Sequence, residues 1–131
     1  SPREYEEKVR EIVTDNIGYQ RTEAKLRNAI TELRRLTLEE PHLHARDYHE
    51  LMRAHEARNI REVAEMLATA ALERRESRGG YSHYRADYPE RDDANWRKMI
   101  VLKKGEAGYE IGYRPIQIKN SPKEAKDAHT H

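Results

Sequence analysis

Histidine is the residue type in this chain best suited to metal chemistry, because its ring nitrogens are common zinc ligands. The chain has seven histidines, and four of them, His42, His44, His49 and His55, fall close together in the sequence. His42 and His44 lie two residues apart in a predicted loop, and no His-x-x-x-His pair would share one turn of a helix. We therefore interpret these four as surface histidines and predict no metal site.

A second group interleaves aromatic rings with cations, a combination typical of platforms that stack single-stranded nucleic acid. Its members are Tyr81, Tyr84, Tyr88, Trp96, Arg78, Arg85, Arg91 and Arg97. Four acidic residues in the same stretch oppose that positive field, namely Asp87, Glu90, Asp92 and Asp93. The whole chain has a formal net charge of only +1. Because the phosphate backbone is bound mainly by excess positive charge, we predict no nucleic acid partner.

The chain lacks the short motifs that most often carry catalysis or hold a cofactor. It contains no glycine-rich phosphate loop, no Gly-x-Ser-x-Gly motif and no dinucleotide-binding fingerprint. It also contains no cysteine, which excludes disulfides, a thiol nucleophile and iron–sulfur ligation by this chain. We therefore predict that the chain alone has no catalytic residue and binds no cofactor.

The densest run of polar and aromatic residues lies between 73 and 96. It contains Arg-Glu-Ser-Arg-Gly at 75–79, His-Tyr-Arg-Ala-Asp-Tyr-Pro at 83–89 and Asp-Asp-Ala-Asn-Trp at 92–96. In that order, these motifs resemble the C-terminal helical domain of the succinate dehydrogenase/fumarate reductase flavoprotein family. The spacing of His83, four residues after the first glycine of the pair, is similar to that of the adenylylsulfate reductase branch.

Two shorter stretches support the same resemblance. Asn-Ile-Gly-Tyr-Gln-Arg-Thr at 16–22 is similar to a glycine-containing turn of the family, and Tyr-Arg-Pro-Ile at 113–116 resembles its closing Tyr-Arg-Pro-Val. The likeness spans roughly residues 8–118. It implies a spectrin-like bundle at the end of a flavoprotein whose FAD-binding and capping domains lie upstream.

The resemblance also implies a function for the parent protein. Members of the family move a hydride between FAD and a dicarboxylate, often passing electrons to an iron–sulfur partner, and the related branch acts on adenylylsulfate. The family's catalytic and flavin-binding residues belong to the upstream domains, so none is carried over to this sequence. FAD is thus implied for the parent alone. The implied partners are the flavin-binding domain of the same parent chain and an iron–sulfur subunit.

Seven residues are candidates for docking against that flavin-binding domain: Arg75, Glu76, Ser77, Arg78, His83, Arg85 and Asp87. A solvated helix terminus would account for the cations alone, because positive side chains favourably meet the negative end of a helix dipole. It would not require the serine, the paired glycines and the tyrosines, whereas tyrosine and arginine are typical interface anchors. We expect Arg78 in particular to extend beyond the bundle towards a partner.

Helices must position these residues. Three stretches show a helical period, near 3–17, 23–37 and 47–76, and residues 37–46 and 81–95 are predicted as loops. Alternation after Trp96 predicts a hairpin near 98–114. The predicted fold is therefore mainly α, a three-helix antiparallel, spectrin-repeat-like bundle followed by a short C-terminal β-hairpin. We predict one domain over residues 1–119 and a polar, flexible tail over 120–131.

The third helix carries two sets of apolar residues. The larger ones, with two polar residues and one alanine, lie at helical spacing on one face that is predicted to be the core face: Tyr48, Leu51, Met52, His55, Asn59, Val63, Met66, Leu67 and Ala70. Ala57, Ala64, Ala68 and Ala71 are predicted to allow the close approach of a neighbouring helix. Leu, Ile and Val together number only 21 and Phe is absent, so the core is expected to be small.

Neither a signal sequence nor an apolar run long enough to span a bilayer is present, so we predict no membrane insertion. The expected location is the cytoplasm, peripheral to the inner face of a membrane if partner subunits anchor the parent there. The alternative function is a free-standing helical module that binds a protein partner and has no redox role. An upstream reading frame carrying Gly-x-Gly-x-x-Gly would favour the flavoprotein, and a start codon at residue 1 would favour the module.

Overall fold

A computed structural model describes residues 1–80, 82–106 and 108–116 of the chain. Within them the fold is a helical bundle followed by a two-stranded antiparallel sheet, which confirms the predicted fold class. The tail predicted for residues 120–131 lies outside the described residues. In chain order the elements are α1 (Pro2–Asn16), α2 (Glu23–Leu36), a 3-10 helix (Thr37–His42), α3 (Tyr48–Glu73), α4 (Asp93–Trp96), β1 (Lys98–Gly105) and β2 (Gly108–Pro115).

Each long helix begins at a side-chain cap. The Ser1 hydroxyl accepts from the backbone amide of Glu4 while the Glu4 side chain accepts from the N-terminus, a complete capping box. Thr22 caps α2 and Asp47 caps α3, each by accepting from an amide three residues later. These caps satisfy amides that have no partner within the helix, and they fix where each helix starts.

The core lies where α1, α2 and α3 pack against one another. Helix α2 contributes its large aliphatic side chains, whereas α3 contributes mainly methyl groups, which lets the helices approach closely. The buried residues of this cluster are Tyr5, Val9, Ile17, Leu26, Ala29, Leu33, Leu36, Ala57, Ala64, Ala68 and Ala71.

The predicted core face of α3 is wrong. Tyr48, Leu51, Met52, Val63, Met66 and Leu67 are all more than a third exposed, and the buried face of the helix is the alanine face. The physical reason is that α3 packs against both other helices, so the side chains at the contact must be small. Periodicity identified the helix, but both of its faces are periodic and the larger side chains lie on the exposed one.

Three local predictions also need correction. Residues 37–42 form a 3-10 helix where a loop was predicted. Arg61 donates to the Glu40 carboxylate and Arg58 donates to the Glu40 carbonyl, and these hydrogen bonds hold the 3-10 helix against α3. Helix α3 ends at Glu73, short of the predicted residue 76, because the backbone turns at Arg74. A short helix, α4, interrupts the segment predicted as loop, starting at the Asp92 cap.

The hairpin is in the predicted place, with β1 and β2 paired from Lys98↔Pro115 to Gly105↔Gly108. Long-range side-chain hydrogen bonds attach it to α3. The Lys104 ammonium donates to Glu62 over 3.0 Å, and the Tyr113 hydroxyl donates to Glu73. Among the described residues, no helix is both long and apolar enough to cross a membrane.

Candidate docking site at one end of the bundle

Residues 74–92, termed here the connecting segment, lead from the end of α3 to α4 and pass over the turn between α1 and α2. The amide of Arg21 in that turn donates to the Tyr84 carbonyl over 3.0 Å, and the amide of Ala86 donates to the Arg21 carbonyl over 2.7 Å. An Asp87 carboxylate oxygen accepts from the amide of Glu23 at the start of α2. The connecting segment therefore joins the end of α3 to the beginning of α2.

Arg85 lies at the centre of the connecting segment and is 1% exposed. Its Nη1 donates to the carbonyls of Ala71 and Leu72, both at 3.0 Å, and to that of Arg74 at 3.3 Å. The last carbonyls of a helix have no partner within it, so this guanidinium takes the place of a C-terminal cap for α3. A buried arginine from further along the chain therefore satisfies the end of α3.

The remaining donors of Arg85 are directed at Asp87. Nε and Nη2 donate to the two carboxylate oxygens over 2.8 and 2.7 Å, and the guanidinium carbon lies 5.1 Å from the centre of the Tyr88 ring. These hydrogen bonds from Arg85 lower the pKa of Asp87, burial opposes that effect, and the Glu23 amide lowers the pKa further.

A tight turn reverses the chain within the connecting segment. The amide of Arg78 donates to the His83 carbonyl over 2.9 Å, and the amide of His83 donates back over 3.2 Å. Gly79 and Gly80 lie between them with φ of 71° and 62°, values that favour glycine. The Ser77 hydroxyl accepts from the Arg85 amide over 2.9 Å and donates to the Tyr88 carbonyl over 2.8 Å. The paired glycines and the serine are therefore needed to form this turn.

Glu76 is fully buried and surrounded by donors. Its carboxylate accepts from Arg74 at 2.8 Å, from Arg78 at 2.5 Å and from the amide of Asp92 at 2.8 Å. Burial by itself would raise the pKa of Glu76, but these hydrogen bonds outweigh it and the pKa is lowered. Arg78 also donates to Asp93 over 2.6 Å, and its pKa is raised by its two carboxylate partners.

His83 is half-buried and lies between two arginines. Its Nδ1 is 3.2 Å from Nη1 of Arg21, and its Nε2 is 3.1 Å from the Arg74 carbonyl oxygen. Because a guanidinium only donates and a carbonyl only accepts, these partners fix the ring as the neutral tautomer with its proton on Nε2. Burial lowers the pKa of His83, and the nearby positive charges of Arg21, Arg74 and Arg85 lower it further.

Trp96 closes the far side of the site and is buried. Cations surround its ring, with Arg74, Arg75 and Lys98 at 5.8, 5.3 and 4.9 Å from the ring centre. Tyr113 of the hairpin meets it edge-on at 6.3 Å. The end of α3, the short helix α4 and the hairpin are held together around this side chain.

The structure divides the seven predicted docking residues into two groups. Glu76, Ser77 and Arg85 are buried within the chain, so their side chains hold the connecting segment and are not available to a partner surface. Arg75, Arg78, His83 and Asp87 keep some exposure. Arg78 was expected to extend beyond the bundle towards a partner, but its Nε and Nη2 donate to Glu76 and Asp93 within the chain.

Two residues of the site were missed. Arg21 donates to His83, and Arg74 donates to Glu76 and to the carbonyls of Trp96 and Lys98. Arg21 lies in the stretch 16–22 that resembles a glycine-containing turn of the family, and this position could have identified it as a site residue. Arg74 had no signal beyond its position near a helix end. Its carbonyl partners, Trp96 and Lys98, lie more than twenty residues further along the chain.

A second cluster of charges lies elsewhere in the bundle. The hydroxyl of Tyr5 donates to Glu40 over 2.7 Å, and Arg61 donates to the same carboxylate oxygen over 2.8 Å. Burial and the Glu40 carboxylate raise the pKa of Tyr5. The cluster joins α1, the 3-10 helix and α3. Within the described ranges, no group of three His, Asp or Glu side chains is arranged to hold a metal ion.

Comparison with known protein families identifies the same domain. A family model described as the C-terminal region of the fumarate reductase flavoprotein matches residues 6–128. The chain is 35% identical over 118 residues to a succinate dehydrogenase flavoprotein subunit of Coxiella burnetii, an alignment that covers 86% of this chain and 19% of the relative. It is 44% identical over 63 residues to a fumarate reductase flavoprotein subunit of Haemophilus influenzae, covering 47% of this chain and 10% of the relative.

The fold is also similar to that of solved structures. Adenylylsulfate reductase from Archaeoglobus fulgidus superposes with a TM-score of 0.85 at 28% identity, covering 89% of this chain and 19% of that one. The chain therefore spans about a fifth or less of the length of the proteins it matches.

Proposed function

The chain belongs to the family of fumarate reductase flavoprotein C-terminal domains, and we propose that it docks against the flavin-binding domain of a parent oxidoreductase. The observation that carries this proposal is the match over residues 6–128 to a domain that forms about one fifth of flavoprotein subunits. In this role the chain is a non-catalytic support. It supplies a rigid surface, and the flavin chemistry takes place in the part of the parent that precedes it.

The geometry of the connecting segment supports such a role. Arg85, Glu76 and Ser77 are buried and hydrogen-bonded, so the loop that carries Arg75, His83 and Asp87 is held in one shape before any partner arrives. A surface that is ordered in advance loses little conformational entropy when it docks. A long surface loop without these contacts would lose much more.

For the parent we propose an FAD-dependent oxidoreductase that acts on a dicarboxylate, or on adenylylsulfate as in the similar solved structure. FAD would bind entirely outside the present chain. The relatives named as succinate dehydrogenase and fumarate reductase flavoprotein subunits also support an electron-transfer partner with iron–sulfur centres. Through such partner subunits the parent would lie at the inner face of a membrane.

The test is to express the whole reading frame that contains this chain and to purify the product. We expect a yellow protein with a flavin absorbance at about 450 nm, whereas the 131-residue chain alone should be colourless, because a flavin needs a protein site to hold it. Succinate oxidation with an artificial acceptor and adenylylsulfate reduction with a reduced dye would then distinguish the two substrate classes. A reading frame without a flavin-binding region would contradict the proposal and favour a free-standing interaction module.

A further inference from the structure

The C-terminal half of α3 exposes a stripe of large apolar side chains. Val63, Met66 and Leu67 are 63%, 38% and 43% exposed, and their spacing places them on one side of the helix. Met99 of β1 is 50% exposed, and it lines a shallow hollow together with Leu67. Exposed apolar side chains that form a continuous patch mark interaction sites more often than isolated ones do.

A cation lies at the edge of this hollow. Arg21 and His83 line it together with Leu67 and Met99. The Nε of Arg21 is buried and has no hydrogen-bond partner, and among the described residues no carboxylate forms an ion pair with its guanidinium. Its one side-chain partner in the described part of the chain is the neutral ring of His83. A half-buried guanidinium without a carboxylate partner lacks a compensating negative charge, so an anionic group placed at the edge of the hollow would stabilise it.

We propose that Arg21, Val63, Met66, Leu67 and Met99 form a docking surface for the flavin-binding domain of the same parent chain. A carboxylate of that domain pairs with Arg21, and apolar side chains beside it cover the stripe. This inference rests on the proposed function. The flavin-binding domain is the favoured occupant of this surface. The chain spans only about a fifth of the length of its relatives, so most of such a parent protein lies outside the chain.

The three methionines of the chain make this proposal testable. Met52, Met66 and Met99 are 43%, 38% and 50% exposed, so their thioethers should be oxidised by peroxide at similar rates in the 131-residue chain. Met52 lies among charged residues at the other end of α3 and is outside the proposed surface, which makes it an internal control. The readout is the fraction of sulfoxide at each methionine, measured by peptide mass spectrometry over a time course.

In the flavin-containing parent, we expect Met66 and Met99 to be oxidised several-fold more slowly than in the chain alone, while Met52 keeps its rate. Arg21→Gln in the parent should restore faster oxidation at both, because it removes the charge that pairs with the carboxylate. Arg27→Gln is the matched control, since Arg27 is an exposed arginine of the adjacent helix whose partner is Glu23.

Three results would overturn the proposal while leaving the proposed function intact. A parent that holds flavin but oxidises all three methionines at equal rates would show that the stripe is not covered. Unchanged protection in the Arg21→Gln parent would exclude the carboxylate pair. Protection of Met66 and Met99 in the 131-residue chain at high concentration would identify a second copy as the occupant. A product without flavin would instead contradict the proposed function.

Discussion

Arg85 and Asp87 form a bidentate ion pair in which Nε and Nη2 of the guanidinium donate to the two carboxylate oxygens over 2.8 and 2.7 Å. The arginine also binds the last carbonyls of α3, and the aspartate also accepts from the Glu23 amide of α2. One pair of side chains therefore connects the end of one helix with the beginning of another. We therefore expect the stability of the folded chain to depend on this pair.

Replacing Arg85 with methionine should destabilise the chain strongly. The substitution leaves the Asp87 carboxylate and the α3 carbonyls without their donor, and removing one partner of a buried pair costs about 3–5 kcal/mol. Urea unfolding, followed by the fluorescence of the single tryptophan, measures the loss. Arg91→Met is the control, because its ion pair with Asp93 is exposed and should change stability by about 0.5 kcal/mol or less. Equal losses in the two variants would contradict this role for Arg85.

The fold was largely predictable because its signals are local. Ser1 with Glu4, and Thr22, mark helix starts through hydrogen bonds that span three residues, and the two helices begin at or next to the predicted residues 3 and 23. The bounds of the hairpin followed from alternation. The core face of α3 was not predictable in the same way, because a helix pattern shows which residues share a face and does not show which face a neighbouring helix covers.

The candidate site was predictable in composition but not in arrangement. The motifs at 75–79 and 83–89 identified the segment, yet the burial of Glu76 and Arg85 depends on partners such as Ala71, Asp92 and Asp87. The sequence shows charges in a row, and charged residues are usually exposed. Only the folded chain reveals that opposite charges pair inside it. The same ambiguity made Arg78 a predicted docking residue although its Nε and Nη2 donate to Glu76 and Asp93 within the chain.

Replacing Arg78 with alanine should cost the 131-residue chain about 1–3 kcal/mol, because it removes a charged donor from the buried Glu76. This is larger than the surface-like effect of about 0.5 kcal/mol expected for a free arginine. Denaturant unfolding at neutral pH measures the difference, with the exposed Arg97→Ala as the control. A loss no greater than that of the control would mean that Arg74 and the Asp92 amide satisfy Glu76 without Arg78, which would then be available to a partner.

His83 should make the stability of the chain sensitive to mild acid. Its pKa is lowered in the folded state by burial and by Arg21, Arg74 and Arg85, while in the unfolded state it returns to about its ordinary value of 6.5. Below pH 6.5, His83 of the unfolded chain binds a proton that His83 of the folded chain does not yet bind. The free energy of unfolding therefore falls as the pH drops below 6.5, until the folded pKa is reached, and it is unaffected at higher pH.

Unfolding of His83→Gln at about pH 7.5 and pH 5.5 measures this contribution, because the variant should lose part of the acid sensitivity that the unaltered chain shows. The exposed His55→Gln should retain all of it. If both variants respond to pH as the unaltered chain does, then His83 is not the group that titrates.

Substitutions that enlarge a side chain should distinguish the buried face of α3 from its exposed face. Ala68 is fully buried between the helices, so Ala68→Leu forces extra methyl groups into a closely packed contact at a cost of about 1–3 kcal/mol. Val63 is 63% exposed, so Val63→Leu adds a methylene to the open face and should change stability by about 0.5 kcal/mol or less. Thermal and urea unfolding of both variants at neutral pH provide the comparison. A larger loss from Val63→Leu would mean that the large apolar residues form the core face after all, and that the stripe assigned to docking is buried.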